Sequence, residues 1–332
     1  MKKLILDSNP VNKIRFALGI KKAIDAWDPA ACRITRPGPF SIQIQTIDRC
    51  NGRCVMCPYT TKQHTGPANR MDPKLFVHIM KELKKTRTLR FMGIMLQNEP
   101  LMDSNLADRV LDARRIHGNG VSINTVTNGT LLTVKRAEEL AQAGIDNVSV
   151  SINAFEKDTY NHIQQGLDYE KVTTNVEAAL ELDNGPHITA RFLVQNANRG
   201  ELKDFISYWR SRGAGVFSHE VSNRAGNLET YDKVKLRRHG LVSRLMNRVQ
   251  LSVFPFCEYP FFAMSIRWDG CVILCCHDWG HEVIMGDFTK QTLPEIWNGE
   301  IINHYRRLLY EGRVRDIRTC SECSYGLSFT GK

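Results

Sequence analysis

Short alternating apolar stretches and longer stretches with apolar residues at helical spacing follow one another through the first two thirds of the chain. Ile42 and Ile44 share one side of the segment 41–46, and similar strand-like segments recur at 89–96, 121–127, 148–152, 187–194 and 216–221. Between them, helical spacing is legible at 73–83, 106–116, 134–143, 158–182 and 200–209. Asp72-Pro73 is a helix start, an N-cap followed by proline in the first turn, and Gly144 is a helix stop. Strands that alternate with helices are returned to the same end each time, so they run parallel, and right-handed crossovers curl the sheet. The expected fold class is therefore α/β, a partial (β/α)6 TIM-like barrel over 41–233 with its chemistry at the C-terminal ends of the strands. From Cys257 onward the pattern changes. Segments 262–268 and 272–274 flank the turn Asp269-Gly270, a hairpin signal, and 293–309 reads as one helix. The flanking pieces are a lead-in over 1–40, with an amphipathic helix at 11–27 packing on the barrel, and a linking helix within 234–256. A small C-terminal domain of hairpin plus helix occupies 257–332.

Composition adds bounds. The chain has 332 residues, 42% hydrophobic and 24% charged, an ordinary globular balance. No apolar run approaches the ~20 residues that span a bilayer, and the basic start Met1-Lys2-Lys3 is followed by an apolar stretch cut short at Asp7, a poor signal peptide. The net charge of +10 invites nucleic acid, but lysines and arginines are scattered; the densest group, Lys233, Lys235, Arg237 and Arg238, reads as a solvated helix face. No nucleic-acid partner and no membrane span are expected. Ten cysteines without a signal peptide point to metal binding in a reducing cytoplasm.

The chemistry concentrates in Cys50-Asn51-Gly52-Arg53-Cys54-Val55-Met56-Cys57, a C-x3-C-x2-C loop at the end of the first barrel strand. Thiolates select iron–sulfur clusters. Three of them leave one iron of a four-iron cube open to a non-protein ligand. A structural zinc site would need a fourth ligand, for which His64 is the local candidate. Asn51, Gly52 and Arg53 do not read as core, which argues against three inert buried thiols.

This motif, in this place, resembles that of the radical S-adenosylmethionine (radical SAM) enzymes. The resemblance implies that Cys50, Cys54 and Cys57 hold a [4Fe-4S] cluster whose open iron chelates SAM. An external one-electron donor of flavodoxin or ferredoxin type would reduce it to release a 5′-deoxyadenosyl radical. Met56 stands where the family usually places a large residue against the adenine. Gln97-Asn98-Glu99-Pro100 occupies the place of the family's G-G-E-P segment, with Glu99 matching and both glycines replaced. Asn128, Ser151, Asn153 and Val194 end successive strands and are the further expected SAM contacts, with Gln195 and Asn196 beside Val194.

A second group, Cys257, Cys275, Cys320 and Cys323, can form a complete cage. Four thiolates suit zinc and iron–sulfur equally. C-x12-G-x4-C, then Glu295-Ile296-Trp297-Asn298-Gly299, then C-x2-C, is similar to the twitch form of the SPASM extension of radical SAM enzymes, which implies one auxiliary [4Fe-4S] cluster. Cys271 and Cys276 are close enough in sequence to replace Cys275. They also read as small buried hydrophobes or, for Cys276, as a hydrogen-atom donor. Within the family the layout resembles the aminocyclitol dehydrogenase of butirosin biosynthesis. The expected reaction is oxidation of a secondary alcohol on a small sugar-like or aminocyclitol substrate, the auxiliary cluster taking an electron. Arg224 and His219 are candidates to hold substrate oxygen or take its proton. Epimerisation with a cysteine hydrogen donor and peptide maturation are the alternative readings.

Overall fold

The computed structural model describes residues 21–22, 25–62, 66–236 and 256–324. His64, most of the helix expected over 11–27 and most of the link expected over 234–256 lie outside the described residues. The end of that first helix is corrected. Trp27 lies in β1 (Trp27–Asp28), a short strand paired antiparallel with β2 (Arg33–Ile34). An aromatic side chain buried edge-on against Phe261, ring centroids 5.6 Å apart, holds it there.

Six strands follow: β3 (Ser41–Ile44), β4 (Phe91–Gly93), β5 (Ser122–Thr127), β6 (Asn147–Ser151), β7 (His187–Val194) and β8 (Gly215–Glu220). All pair parallel in that order. The longer helices between them are α1 (Pro73–Thr86), α2 (Leu106–His117), α3 (Val134–Ala143), α4 (Lys157–Ile163), α5 (Tyr169–Leu180) and α6 (Leu202–Ser211). Their starts have local causes. Asp72 Oδ1 accepts from the Lys74 and Leu75 amides at 2.7 and 3.2 Å, and Thr133 caps α3, which Gly144 ends at φ 89°. The single helix expected over 158–182 is two helices. Gly166, at φ 79°, turns the chain between them, and Asp168 caps the second. The strand expected at 89–96 is only three residues long, because the chain beyond Gly93 turns away to build the site.

The C-terminal region is not a separate layer. The hairpin β9 (Ala263–Ile266) and β10 (Cys271–Ile273) forms around Asp269-Gly270 as the turn residues require, and a third strand, β11 (Ile284–Asp287), pairs with β10. β9 also runs parallel to β3, Ser41 opposite Ala263 and Ile44 opposite Ile266. The result is one sheet ordered β11-β10-β9-β3-β4-β5-β6-β7-β8. One continuous apolar core runs from Trp27 through the barrel to Trp297, Leu309 and Val314. The expected helix 293–309 is again two, α7 (Leu293–Trp297) and α8 (Glu300–Tyr310). The break at Asn298-Gly299 is used. Asn298 Oδ1 accepts from the Ile34 amide at 3.0 Å, and any Cβ at position 299 would sit 2.5 Å from the Glu295 carbonyl oxygen.

Candidate active site

The loop 50–57 leaves β3 at the end where the parallel strands stop. Its backbone is stitched to the turn between α4 and α5: the Arg53 amide donates to the Gln165 carbonyl at 2.8 Å and the Val55 amide to the Ile163 carbonyl at 2.9 Å. Gly52 packs on Leu167, and its amide points at Cys50 Sγ, 3.4 Å away. This explains why the break in the predicted helix matters: the turn is the loop's seat. The three thiols converge. Burial pushes Cys50 up to about 12 and Cys54 well above the usual thiol range, and the nearby sulfurs add to both shifts. Burial also raises Cys57, while the Arg224 guanidinium draws it back. Bare thiolates packed this way are costly, and cationic iron would relieve the cost.

Glu99 is buried, 2% exposed, in the turn after β4. One carboxylate oxygen accepts from Thr127 Oγ1 at 2.6 Å and the Leu101 amide at 3.0 Å, the other from the Asn128 amide at 2.7 Å. Burial pushes its carboxyl upward against those hydrogen bonds. Glu99 thus fixes the 127–129 turn, and Asn128 in turn donates to Asn51 Oδ1 of the cysteine loop at 2.7 Å. Asn153, in the left-handed region at φ 60°, accepts from the Leu193 amide at 2.7 Å and donates to Gln164 Oε1 at 3.0 Å. Its amide therefore ties the ends of β6 and β7 to α4. Ser151 and Val194 are half-buried at those ends. Met56 is buried with Ile163, Leu193, Val221 and Leu228, an apolar wall beside the loop. Gln195 is fully buried, and neither of its amide atoms finds a partner among the described residues.

The replacement of the glycine at position 97 has a use. Gln97 is buried and donates to the carbonyls of Cys276 and Asp278 at 3.2 and 3.0 Å, while its Oε1 lies 2.7 Å from His281 Nε2. One side chain of the barrel thereby grips the loop that carries Cys275 and Cys276. The sequence marked position 97 as a departure from the glycine pattern without indicating its partner.

Cys257, Cys275, Cys320 and Cys323 are brought together from three places in the chain. The shift of Cys257 includes Cys320 and Cys323, and that of Cys275 includes Cys320 and Cys257, each behind a larger effect of burial. Cys320 is pushed up to about 12. Four thiolates gathered in this way can hold an iron–sulfur cluster or a zinc ion. Cys271 is not among them; it sits on β10 between Asp269 and Asp287. Cys276 turns the other way. It faces Tyr259 and Arg224 and lines a cavity of about 190 Å³ shared with Cys50, Cys57, Gln97 and Trp279.

Arg224 stands between the two groups. Residues 224, 225 and 226 all have positive φ, 51°, 55° and 78°, a strained run that only outside contacts can hold. Asn223 supplies them: its amide side chain donates to the Glu322 carbonyl, and its Oδ1 accepts from the Ser324 amide at 2.8 Å. Arg224 Nη1 lies 3.4 Å from His277 Nε2. His219 lies near the end of β8 and is exposed to water. Desolvation there, with Arg191, Arg224 and His277 nearby, pulls its imidazole down to about 3. Arg191, Tyr259 and His277 carried no motif in the sequence and emerge only from the fold.

Comparison with known proteins follows the same division. The radical SAM superfamily model matches residues 44–208, and an iron–sulfur cluster-binding SPASM model matches 257–324. The tungsten-containing aldehyde ferredoxin oxidoreductase cofactor-modifying protein of Pyrococcus furiosus is 26% identical over 324 residues, covering 85% of this chain and 86% of that protein. A GTP 3′,8-cyclase of Limosilactobacillus fermentum is 25% identical, over 57% of this chain and 56% of its own length. Among solved structures, BtrN in complex with AdoMet and 2-DOIA superposes with a TM-score of 0.58 at 20% identity, covering 86% of this chain and 92% of BtrN. Streptococcus suis SuiB bound to its precursor peptide gives 0.69 at 12% identity, covering 97% and 76%. At these identities the superpositions speak for the fold.

Proposed function

We infer that this radical SAM enzyme with a C-terminal SPASM domain oxidises a secondary alcohol of a small sugar-like substrate. The observation that carries the reading is the cavity lined by Cys50 and Cys57 together with Cys276 and Arg224, Cys276 being a near neighbour of Cys275. In this reading Cys50, Cys54 and Cys57 hold the SAM-binding [4Fe-4S] cluster, and Cys257, Cys275, Cys320 and Cys323 hold one auxiliary cluster. Met56, Glu99, Asn128, Ser151, Asn153 and Val194 line or brace the place of SAM. With these groups bound, a 5′-deoxyadenosyl radical is available to take the carbinol hydrogen, and the auxiliary cluster is available to accept one electron. What the chain must add is a place for the alcohol and an exit for its proton. Arg224 presents donors that fix the oxygen. His277, 3.4 Å from Arg224 and pulled down to about 3 by burial and that cation, is a neutral acceptor beside it rather than a strong base. In this reading the proton is released to solvent. The balance is one hydrogen atom, then one electron and one proton, leaving a ketone. An amine-free cyclitol and a 2-deoxy-scyllo-inosamine-type substrate are the two ends of the range to test.

Cys276 supports a second reading. Its thiol lines the same cavity, so it can return a hydrogen atom and give an epimer. One turnover in deuterated water separates the two: a ketone with 5′-deoxyadenosine supports oxidation, whereas deuterium at an inverted substrate carbon supports epimerisation and overturns the first reading. Both require that reduced, reconstituted enzyme cleave SAM.

A further inference from the structure

Below the cluster-facing cavity, the barrel encloses a second cavity of about 250 Å³. Its wall is aromatic and amide-rich: Phe91, Phe217, Tyr259, Asn124 and Asn147 face it together with one cation, Arg191. Among the described residues no carboxylate lines it, nor does one line the cavity above. The Arg191 guanidinium lies 5.0 Å over the Phe217 ring. Among the described residues it meets no acidic side chain, and the charged neighbour it does have, Arg224, is another cation. The other acids of the barrel are engaged elsewhere, Asp103 with Arg109 at 2.7 Å and Asp146 with Arg114 at 2.6 Å. Gln43 lines both cavities, so the two adjoin at the level of β3.

A desolvated cation beside a second cation is unfavourable unless an anion joins them. Arg224 has the sulfurs of Cys57 and Cys276 within electrostatic reach. Arg191 has none. We propose that the substrate carries a carboxylate or phosphate group, held by Arg191 inside the barrel, with its reacting carbon directed up toward the cysteine loop. The aromatic wall suits the carbon ring of such a substrate, and the amides of Asn124 and Asn147 suit its hydroxyls. An ammonium group is disfavoured there, so the substrate is a sugar or cyclitol acid or its phosphate rather than an aminocyclitol. This deepens the oxidation reading and rests on it for the identity of the reacting carbon, but not for the anion site.

The test uses anaerobically reconstituted holoenzyme and three probes built on one ring: cyclohexanecarboxylate, cyclohexanol and cyclohexylamine. Binding is measured by calorimetry at fixed ionic strength, with and without saturating SAM. The expected result is that the carboxylate binds at least tenfold tighter than the alcohol, and the amine most weakly, in both SAM conditions. Arg191→Gln should erase the tenfold preference, and Arg191→Lys should keep part of it, with cluster absorbance showing that both variants are assembled. Equal binding of acid and alcohol, no binding of the acid, or a preference that survives Arg191→Gln overturns the proposal. Loss of acid binding when SAM is present overturns it too, because the anion would then be SAM's own carboxylate. Failure of the oxidation reading would look different: normal acid binding, with 5′-deoxyadenosine formed and no ketone.

Discussion

The two cysteine groups are built by opposite strategies. Cys50, Cys54 and Cys57 lie within eight residues of one loop, and its backbone is seated on a single turn. Cys257, Cys275, Cys320 and Cys323 come from the segment before a short helix (Tyr259–Phe262), the loop after a hairpin, and the last described helical turn (Arg318–Ser321) with the residues after it, so their meeting depends on contacts distant in sequence. The first group leaves room on one side, toward the cavity. The second faces itself. A local loop can leave a corner open because its geometry does not depend on the metal. A cage gathered from distant segments is closed by whatever it binds.

Cysteine substitution breaks the comparison most sharply. With both clusters in place the enzyme should contain about eight irons. Cys54→Ala should lose about half of them and abolish SAM cleavage, while leaving the C-terminal region folded. Cys320→Ala should lose the other half, abolish ketone formation, leave SAM cleavage measurable and lower thermal stability. Iron and sulfide analysis with assay of 5′-deoxyadenosine and ketone checks both, and equal loss of SAM cleavage in the two variants would erase the distinction.

A smaller effect is expected at the joint. Gln97→Ala removes the bonds to the Cys276 and Asp278 carbonyls and to His281. Leaving buried partners unsatisfied costs about 1–3 kcal/mol each, so a fall in melting temperature of several degrees is expected. Primary-cluster content should be unchanged, and the auxiliary cluster should become easier to remove with chelator. Asn223→Ala should act more mildly and in the same direction, by releasing the strained residues 224–226 from Glu322 and Ser324. Ketone yield per SAM cleaved should drop severalfold, because Arg224 is no longer held beside the cavity.

The least effect concerns the barrel alone. His117, at the end of α2, is held down to about 4 by burial and by Lys84. Its folded value lies below the unfolded one, so the unfolded chain binds the extra proton first. The contribution to stability is full above pH 6.5 and is lost as pH falls from about 6.5 toward about 4. Denaturant melts of His117→Gln should show a flatter acid limb over that window, with the cysteine sites unaffected.

The same contrast decides what could be read from the chain. The cysteine loop, the six parallel strands and most helix starts have signatures within a few residues: Asp72-Pro73, Thr133 and Gly144 are enough. The pairing of β9 with β3 has none, because it joins residues more than two hundred positions apart and each strand alone looks like any other. The short strand β11 carries only Met285 and Gly286 as its buried core and offered too little pattern to find. The splits at Gly166 and Gly299 fall inside patterns whose apolar spacing continues across them. Gln97 and Arg191 are ordinary residues locally, and only the opposing surface gives each its meaning.

The parallel partnership of β9 with β3 also sets an order in time. During synthesis the ribosome releases β3 early, and its outer edge then waits with unpaired amides and carbonyls until the last quarter of the chain emerges. Distant pairing of this kind is slow. A nascent barrel is thus left with an adhesive flank for most of translation, and iron delivered before that flank is covered would meet the cysteine loop on a half-built vessel.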